Sequence, residues 1–439
     1  MKKEASKNEE SSHLPSRRKF VAQSATTVGA ALVATLPISR SAWAAGSDRI
    51  KIGLVGCGGR GSGAAAQALR ADDGNQLVAV ADAFQDRLQL GLTTLQKQPD
   101  IKGRVKVDAA HQFVGFDAYQ QLIDSGVDVV LLATPPHFRP MQLRACIDAG
   151  KHVFVEKPVA VDGPGVRSVL ETTKIAEQKG LYIVSGLNTR YSHKAQEMMK
   201  RIHDGAIGDI VSMNAVRYAN GVWTRARQAG MTEMEYQMRN WYYFTWLSGD
   251  FNVEQFVHQL DQMAWANGGK YPERCFGTGG RQVRTGTDHG HIYDHFETTY
   301  DYGNNIRAYA GTRHWKGCTP ESGTYIMGTK GTASMTRRST QIEGENPWRW
   351  RSRKEVDSHQ LEHDAFFAAL RSGNVINNGE YMAKSTLMAI MARMTAYTGK
   401  NLTWQEALNS KEALVPSAYT WEGMPPEAKV AVPGVTKFS

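Results

Sequence analysis

Cysteine is scarce in this 439-residue chain: there are four, Cys57, Cys146, Cys275 and Cys318, and no two are spaced as Cys-x-x-Cys. That pattern offers neither a zinc framework nor a disulfide-held fold, and leaves at most a Cys275–Cys318 bridge open. Long runs of one charge sign are also missing. The net charge is +9, yet seven basic side chains against three acidic ones crowd into the first 46 residues, and the remainder is only mildly basic. Without a basic stripe, nucleic acid is not an expected partner. Strongly apolar runs are lacking too. The longest candidate, Val21 to Ile38, is diluted by Ala, Thr and Gly, too weak for a permanent membrane span. What remains, 41% apolar residues over this length, suffices for two ordinary domains.

The first 44 residues read as an export leader. Ser16-Arg17-Arg18-Lys19-Phe20 is a twin-arginine pattern, the weakly apolar stretch follows, and Ala42-Trp43-Ala44 supplies small residues at the −3 and −1 positions of a cleavage site. A buried helix would need a stripe of large apolar residues and would not carry Pro37. The pattern predicts cleavage after Ala44, a passing partnership with the twin-arginine export machinery, and a mature protein in the periplasm. That route carries proteins already folded.

Directly after the leader, Ile50 to Val55 is a β-branched run of the kind found in buried strands. It enters Gly56-Cys57-Gly58-Gly59-Arg60-Gly61 and an alanine-rich helix. A glycine pattern alone is weak, but between a strand and a helix it has a mechanism. Gly56 permits a tight turn, Gly58 lets backbone approach a pyrophosphate, and Gly61 allows close packing of helix on strand. The next apolar strand, Leu77 to Ala81, ends in Asp82, 21 residues beyond Gly61. An acidic residue there hydrogen-bonds a ribose diol and repels a 2′-phosphate, which favours NAD over NADP. A further buried strand, Val127 to Ala133, empties into Thr134-Pro135-Pro136-His137 at the carboxyl edge, where such sheets bind ligands. His152 to Val155 then leads to Glu156-Lys157-Pro158. Lys157, at the mouth of a strand facing the cofactor, is suited to holding a substrate oxygen.

These residues resemble the glucose–fructose oxidoreductase, inositol dehydrogenase and rhizopine-catabolism (Gfo/Idh/MocA) oxidoreductases. The glycine turn, Asp82, Ala133 to Pro136 and Ala149 to Pro158 carry the resemblance, and Gly186 to Tyr191 and Gly205 to Gly208 extend it. The resemblance implies an α/β protein. A doubly wound Rossmann domain over 47–185 would bind NAD through Gly56, Gly58, Gly59, Arg60, Gly61, Asp82, Thr134, Pro135, His137, Glu156 and Lys157. Residues 186–439 would form an α/β domain with a large, mostly antiparallel sheet, its late helices around Leu361–Ala369 and Ala383–Tyr397 packing back, and would carry the substrate site and often a homo-oligomer interface, as dimer or tetramer. Arg139 departs from the histidine that many relatives have after the Thr-Pro.

In the second half, Asn252 is placed to cap a helix, with Gln255 at its third position. On that helix Val253, Val257, Leu260 and Ala264 would form a packing stripe, with Glu254, His258, Asp261 and Trp265 beside it. An imidazole between two carboxylates can remove a hydroxyl proton. By the resemblance His258 is the general base, and Glu254, replacing the family's aspartate, orients it. Arg190 and Tyr191, with Asp261, are expected beside the substrate. The aromatic cluster Trp241 to Trp246 suits either sugar stacking or a core. His289, His291 and His295 would share a face if extended, but nothing requires a metal there and none is expected.

The expected function is thus an NAD-dependent oxidoreductase acting on a sugar, glycoside or polyol hydroxyl, with the cofactor tightly bound. Two alternatives use the same residues: a redox-neutral glycoside hydrolase or lyase working by oxidation, elimination and reduction, and a non-catalytic sugar-binding protein on a dehydrogenase fold.

Overall fold

The first strand, β1 (Ile50–Val55), is buried everywhere except at Lys51, as a central strand covered on both faces must be. The computed structural model describes residues 49–352 and 354–438, so the leader expected over 1–44 lies outside the described residues. From β1 the chain alternates through α1 (Gly59–Ala71), β2 (Asn75–Asp82), α2 (Gln85–Gln96), β3 (Gln112–Val114) and α3 (Ala118–Asp124). It continues through β4 (Val129–Leu132), α4 (Arg139–Asp148), β5 (His152–Val155), α5 (Gly163–Gln178) and β6 (Ile183–Ser185). These strands form a six-stranded parallel sheet in the order β3-β2-β1-β4-β5-β6. The order reverses between β1 and β4, and the crevice at such a switch point is where doubly wound sheets bind nucleotides.

After α6 (His193–His203), β7 (Ile210–Ala219) enters a second sheet with β8 (Arg274–Gly280), β9 (His295–Asp301), β10 (Arg307–His314), β11 (Glu321–Gly328), β12 (Gly331–Thr336), β13 (Thr340–Gly344), β14 (Trp348–Arg349) and β15 (Leu402–Thr403). Its order among the described residues is β14-β13-β12-β11-β7-β10-β9-β8-β15. Every pairing is antiparallel except β7 with β10.

Between β7 and β8 lie α7 (Glu233–Arg239), α8 (Thr245–Ser248), α9 (Phe251–Glu254) and α10 (Val257–Ala266). The single helix capped by Asn252 is corrected here. Asp250, at φ +79°, is the cap, and its carboxylate accepts the Phe251 N–H. That carboxylate is fully buried and also takes the Tyr293 N–H and the Tyr397 hydroxyl, so tertiary contacts fix the helix start. Asn252 is buried and donates to the Ala389 carbonyl at 3.0 Å. Gln255 and Phe256 then fall outside both helices, which breaks the continuous stripe.

The late helices are α11 (Ser358–Ser372), α12 (Gly379–Thr398) and α13 (Trp404–Asn409). α11 returns to the first sheet: Phe366, Phe367 and Leu370 share a core with Ile50, Leu54 and the alanines of α1. Arg371 also binds Asp72 through two hydrogen bonds, at 2.9 and 2.8 Å. α12 is buried over nearly its whole circumference, in keeping with its Met- and Ala-rich sequence. All four cysteines are free thiols. No helix among the described residues is long and apolar enough to cross a membrane.

Candidate active site

The glycine turn leaves β1 at the switch point. Gly56 has φ +94°, and a Cβ there would sit 2.7 Å from the Ala133 backbone. A Cβ on Gly61 would collide with the Gly56 carbonyl oxygen, so both positions need glycine for close approach. At Gly58 and Gly59 a Cβ would meet nothing within 4 Å: the space above the N-terminus of α1 is clear for a phosphate group. Asp82 ends β2 beside this turn, and its carboxylate accepts the Cys57 N–H at 2.7 Å and the Phe84 N–H at 3.0 Å. Burial raises its pKa. The turn, Asp82, Thr134 and Pro135 line a groove of about 390 Å³. These residues fit a dinucleotide. Phe84 and Arg87 line the same groove, and the facing wall comes from the second half, through Trp223, Arg225, Arg239 and Trp241.

A second, polar cavity of about 350 Å³ adjoins it. Arg60, Ala133, Thr134, Pro135 and Trp241 line both spaces. The polar cavity brings together Lys157, Glu254 and His258 with Arg139, Glu156, Arg217, Gln255 and His359. The Lys157 ammonium donates to the Glu254 carbonyl at 2.8 Å and to its Oε1 at 3.0 Å. Two of three donors are thereby held and one is left for a ligand. Glu156 is buried, and its Oε1 lies 3.0 Å from Arg60 Nε. The peptide joining Lys157 to Pro158 is cis.

Glu254 is not the partner expected for His258. Gln255 and Phe256 interrupt the helical path between them, and the Glu254 carboxylate turns to Lys157 instead. His258 Nδ1 is buried with no hydrogen-bond partner among the described residues. Desolvation, and then the positive charges of Lys157, Arg217 and His359, push its pKa well below the ordinary 6.5. The imidazole is therefore neutral and able to accept a proton at physiological pH.

Other expected residues lie elsewhere. His137 does not line the groove; it is buried, bonded to Tyr419 at 2.9 Å, and desolvation lowers its pKa to about 4. Arg190 and Asp261 form a buried pair through two bonds of 2.8 Å, with Ser385 also donating to Asp261. The Arg190 guanidinium lies over Tyr381 at 4.2 Å and Trp265 at 4.9 Å. Both residues are thus spent on packing, which corrects their placement beside the substrate. Tyr191 likewise donates to Asn378, at 2.7 Å, away from both cavities. In the aromatic cluster Tyr242, Tyr243, Phe244 and Trp246 are core, and only Trp241 reaches the cavities. The three histidines share no strand face, because only His295 lies in β9. No group of three or more metal-binding side chains is placed to hold an ion among the described residues.

Arg217 and His359 were not foreseen from the sequence, and Arg139 and Gln255 were noted there only as a family departure and a helix-cap residue, not as cavity residues. Arg217 had a signal. On β7 it continues the parity of the buried Met213 and Ala215, and a charge on an apolar face marks a special position.

Residues 50–186 match the oxidoreductase family's NAD-binding Rossmann fold, and residues 195–334 match the GFO/IDH/MocA C-terminal domain. The chain belongs to the Gfo/Idh/MocA family. Among relatives, the myo-inositol 2-dehydrogenase of Thermotoga maritima is 28% identical over 159 residues, 36% of this chain and 42% of that protein. A glycosyl hydrolase family 109 protein of Streptomyces coelicolor is 27% identical over 164 residues, 37% of this chain and 33% of that one. The chain therefore spans less than half the length of either relative. The crystal structure of an aldose–aldose oxidoreductase from Caulobacter crescentus, complexed with glycerol, superposes with a TM-score of 0.64 at 14% identity. It covers 81% of this Gfo/Idh/MocA chain and 99% of the other, a likeness of fold.

Proposed function

We propose that this chain moves a hydride between NAD and a hydroxyl-bearing carbon of a sugar, glycoside or polyol. One observation carries the reading: Lys157 and His258 line a polar cavity that shares Ala133, Thr134 and Pro135 with the dinucleotide groove. Lys157 holds the reacting oxygen with its remaining N–H, and Glu254 fixes the ammonium for that task. His258, uncharged, accepts the hydroxyl proton as the C–H electron pair leaves. NAD, when bound, supplies the hydride acceptor. Trp241 lines both spaces.

Lys157→Ala and His258→Ala should each lower turnover by roughly 10²-fold or more while bound NAD is retained. Full activity of His258→Ala on an identified substrate would refute its role as base. The reading extends to a homo-oligomer, dimer or tetramer, as the family resemblance implies. It also extends to location: the Arg17-Arg18 pair and the Ala42-Trp43-Ala44 site support twin-arginine export to the periplasm.

A second reading keeps these residues and makes the net reaction redox-neutral. The glycosyl hydrolase relative favours it. Oxidation of a ring carbon acidifies its neighbour, elimination follows, and the hydride returns.

A further inference from the structure

The polar cavity is unevenly charged. Arg60, Arg139, Lys157 and Arg217 line it against only Glu156 and Glu254. Arg60 faces Glu156 and Lys157 faces Glu254, so both carboxylates are already engaged. Arg139 is buried and donates to the Pro158 carbonyl at 2.5 Å. That leaves Arg217. Its Nε donates to Gln255 Oε1 at 3.2 Å, and no other side-chain hydrogen bond or ion pair engages it among the described residues. Gln255 is itself fixed, because the same oxygen lies 3.2 Å from His314 Nε2. The guanidinium is thus oriented through Nε, with both Nη groups open, on a central strand of a rigid sheet.

We propose that Arg217 binds the carboxylate of the substrate, and that the substrate class is a polyhydroxylated acid, a hexuronate or aldonate, rather than a neutral sugar. The assignment rests on the dehydrogenase reading and specifies the substrate for that same cavity. A fork of two N–H edges matches a planar carboxylate, and Arg217 is the more accessible of the two arginines, Arg139 and Arg217, that have no carboxylate partner in the cavity. A neutral polyol would leave that charge partly desolvated without a counter-ion, which is costly. The arrangement also serves the chemistry. Arg217 is one of the cations opposing protonation of His258, and a bound carboxylate offsets its field just when the imidazole must accept a proton.

The test uses the mature protein with its nucleotide. D-glucuronate, D-galacturonate and D-gluconate are compared with D-glucose, D-galactose and D-glucose 6-phosphate. The first change in absorbance of the bound NADH reports hydride transfer, an added phenazine dye that reoxidises bound NADH carries repeated turnover, and the shift in melting temperature reports binding. The acids should be preferred. In Arg217→Gln the ratio of kcat/KM for a uronate over its parent hexose should fall by roughly 10- to 150-fold, with Arg217→Lys in between. Retained NAD shows that each variant is folded. A wild-type preference for neutral sugars or for the phosphate, or an unchanged ratio in Arg217→Gln, overturns the assignment. If no compound changes NADH absorbance, the dehydrogenase reading fails, while a melting-temperature increase by uronates that Arg217→Gln abolishes still establishes the carboxylate site. No effect of any acid on either readout overturns the assignment.

Discussion

At the scale of single residues, His258 is largely desolvated and sits in the positive field of Lys157, Arg217 and His359, and both push the proton off its ring. For a lowered pKa the sign is simple: the proton-accepting form persists down to the shifted value. The acid limb of kcat/KM, which reports the free enzyme, should therefore fall below pH 6.5. Arg217→Gln removes one opposing charge and should move that limb upward. A wild-type limb at or above 6.5 would assign the titration to another group. Lys157 was legible from the sequence because a lysine between Glu156 and Pro158 at a strand mouth has a mechanical reason to be there. The role of Glu254 was not legible. Four-residue spacing implies adjacency only on an unbroken helix, and the two helices here are separated at Gln255–Phe256 while the Glu254 carboxylate pairs with Lys157. Arg190 and Asp261 failed for the opposite reason: charged residues near a site can be consumed by pairing with each other, and spacing does not reveal this.

At the scale of elements, the four central strands β2, β1, β4 and β5 were readable because each is a short apolar run, whereas the three-residue edge strands β3 and β6 were too short to give a pattern. The second sheet was expected only through resemblance. Its strands are half-exposed, with a weak alternating pattern, as in β7 and β8. The return of α11 to the first sheet was invisible to local pattern, yet it brings a consequence. Glu362 on that helix is fully buried, and neither carboxylate oxygen has a hydrogen-bond partner among the described residues. Desolvation first, then the nearby Glu156, raise its pKa well above the ordinary 4.5, against a lowering by Arg60. A carboxyl raised in the folded state gives stability that is complete below the unfolded value and drains away as pH rises through the folded one. Glu362→Gln removes this dependence. The melting temperature of the wild type should thus fall relative to Glu362→Gln as pH rises above the ordinary carboxyl value of 4.5. Parallel curves would show that Glu362 ionises in the folded protein at no cost.

At the scale of the whole molecule, the dinucleotide groove is built from both halves of the chain. Arg239 binds Asp86 at 3.1 and 3.2 Å and lies over the Phe84 ring at 4.0 Å, pinning the second-half wall to the Rossmann domain. Near the C-terminus, Trp421 packs on Phe84 and Phe116. The proposed export gives a reason for such a wall: a protein delivered outside the cytoplasm has no nicotinamide pool for exchange, so cofactor loaded before folded export must stay. It must then be reset in place, either by a second substrate that takes the hydride or by the same substrate after bond cleavage. Mature protein should consequently carry near-stoichiometric NAD(H) through extensive dialysis and turn over without added NAD. Denaturing it and quantifying the released nucleotide measures the first, and assays with and without NAD measure the second. Replacing Arg17 and Arg18 by lysine should hold the precursor in the cytoplasm with nucleotide already bound, which separates loading from export. Normal export of that variant would remove the twin-arginine route. Mature protein that emerges empty and works only with added NAD would leave an exchanging dehydrogenase and remove the case for a retained cofactor.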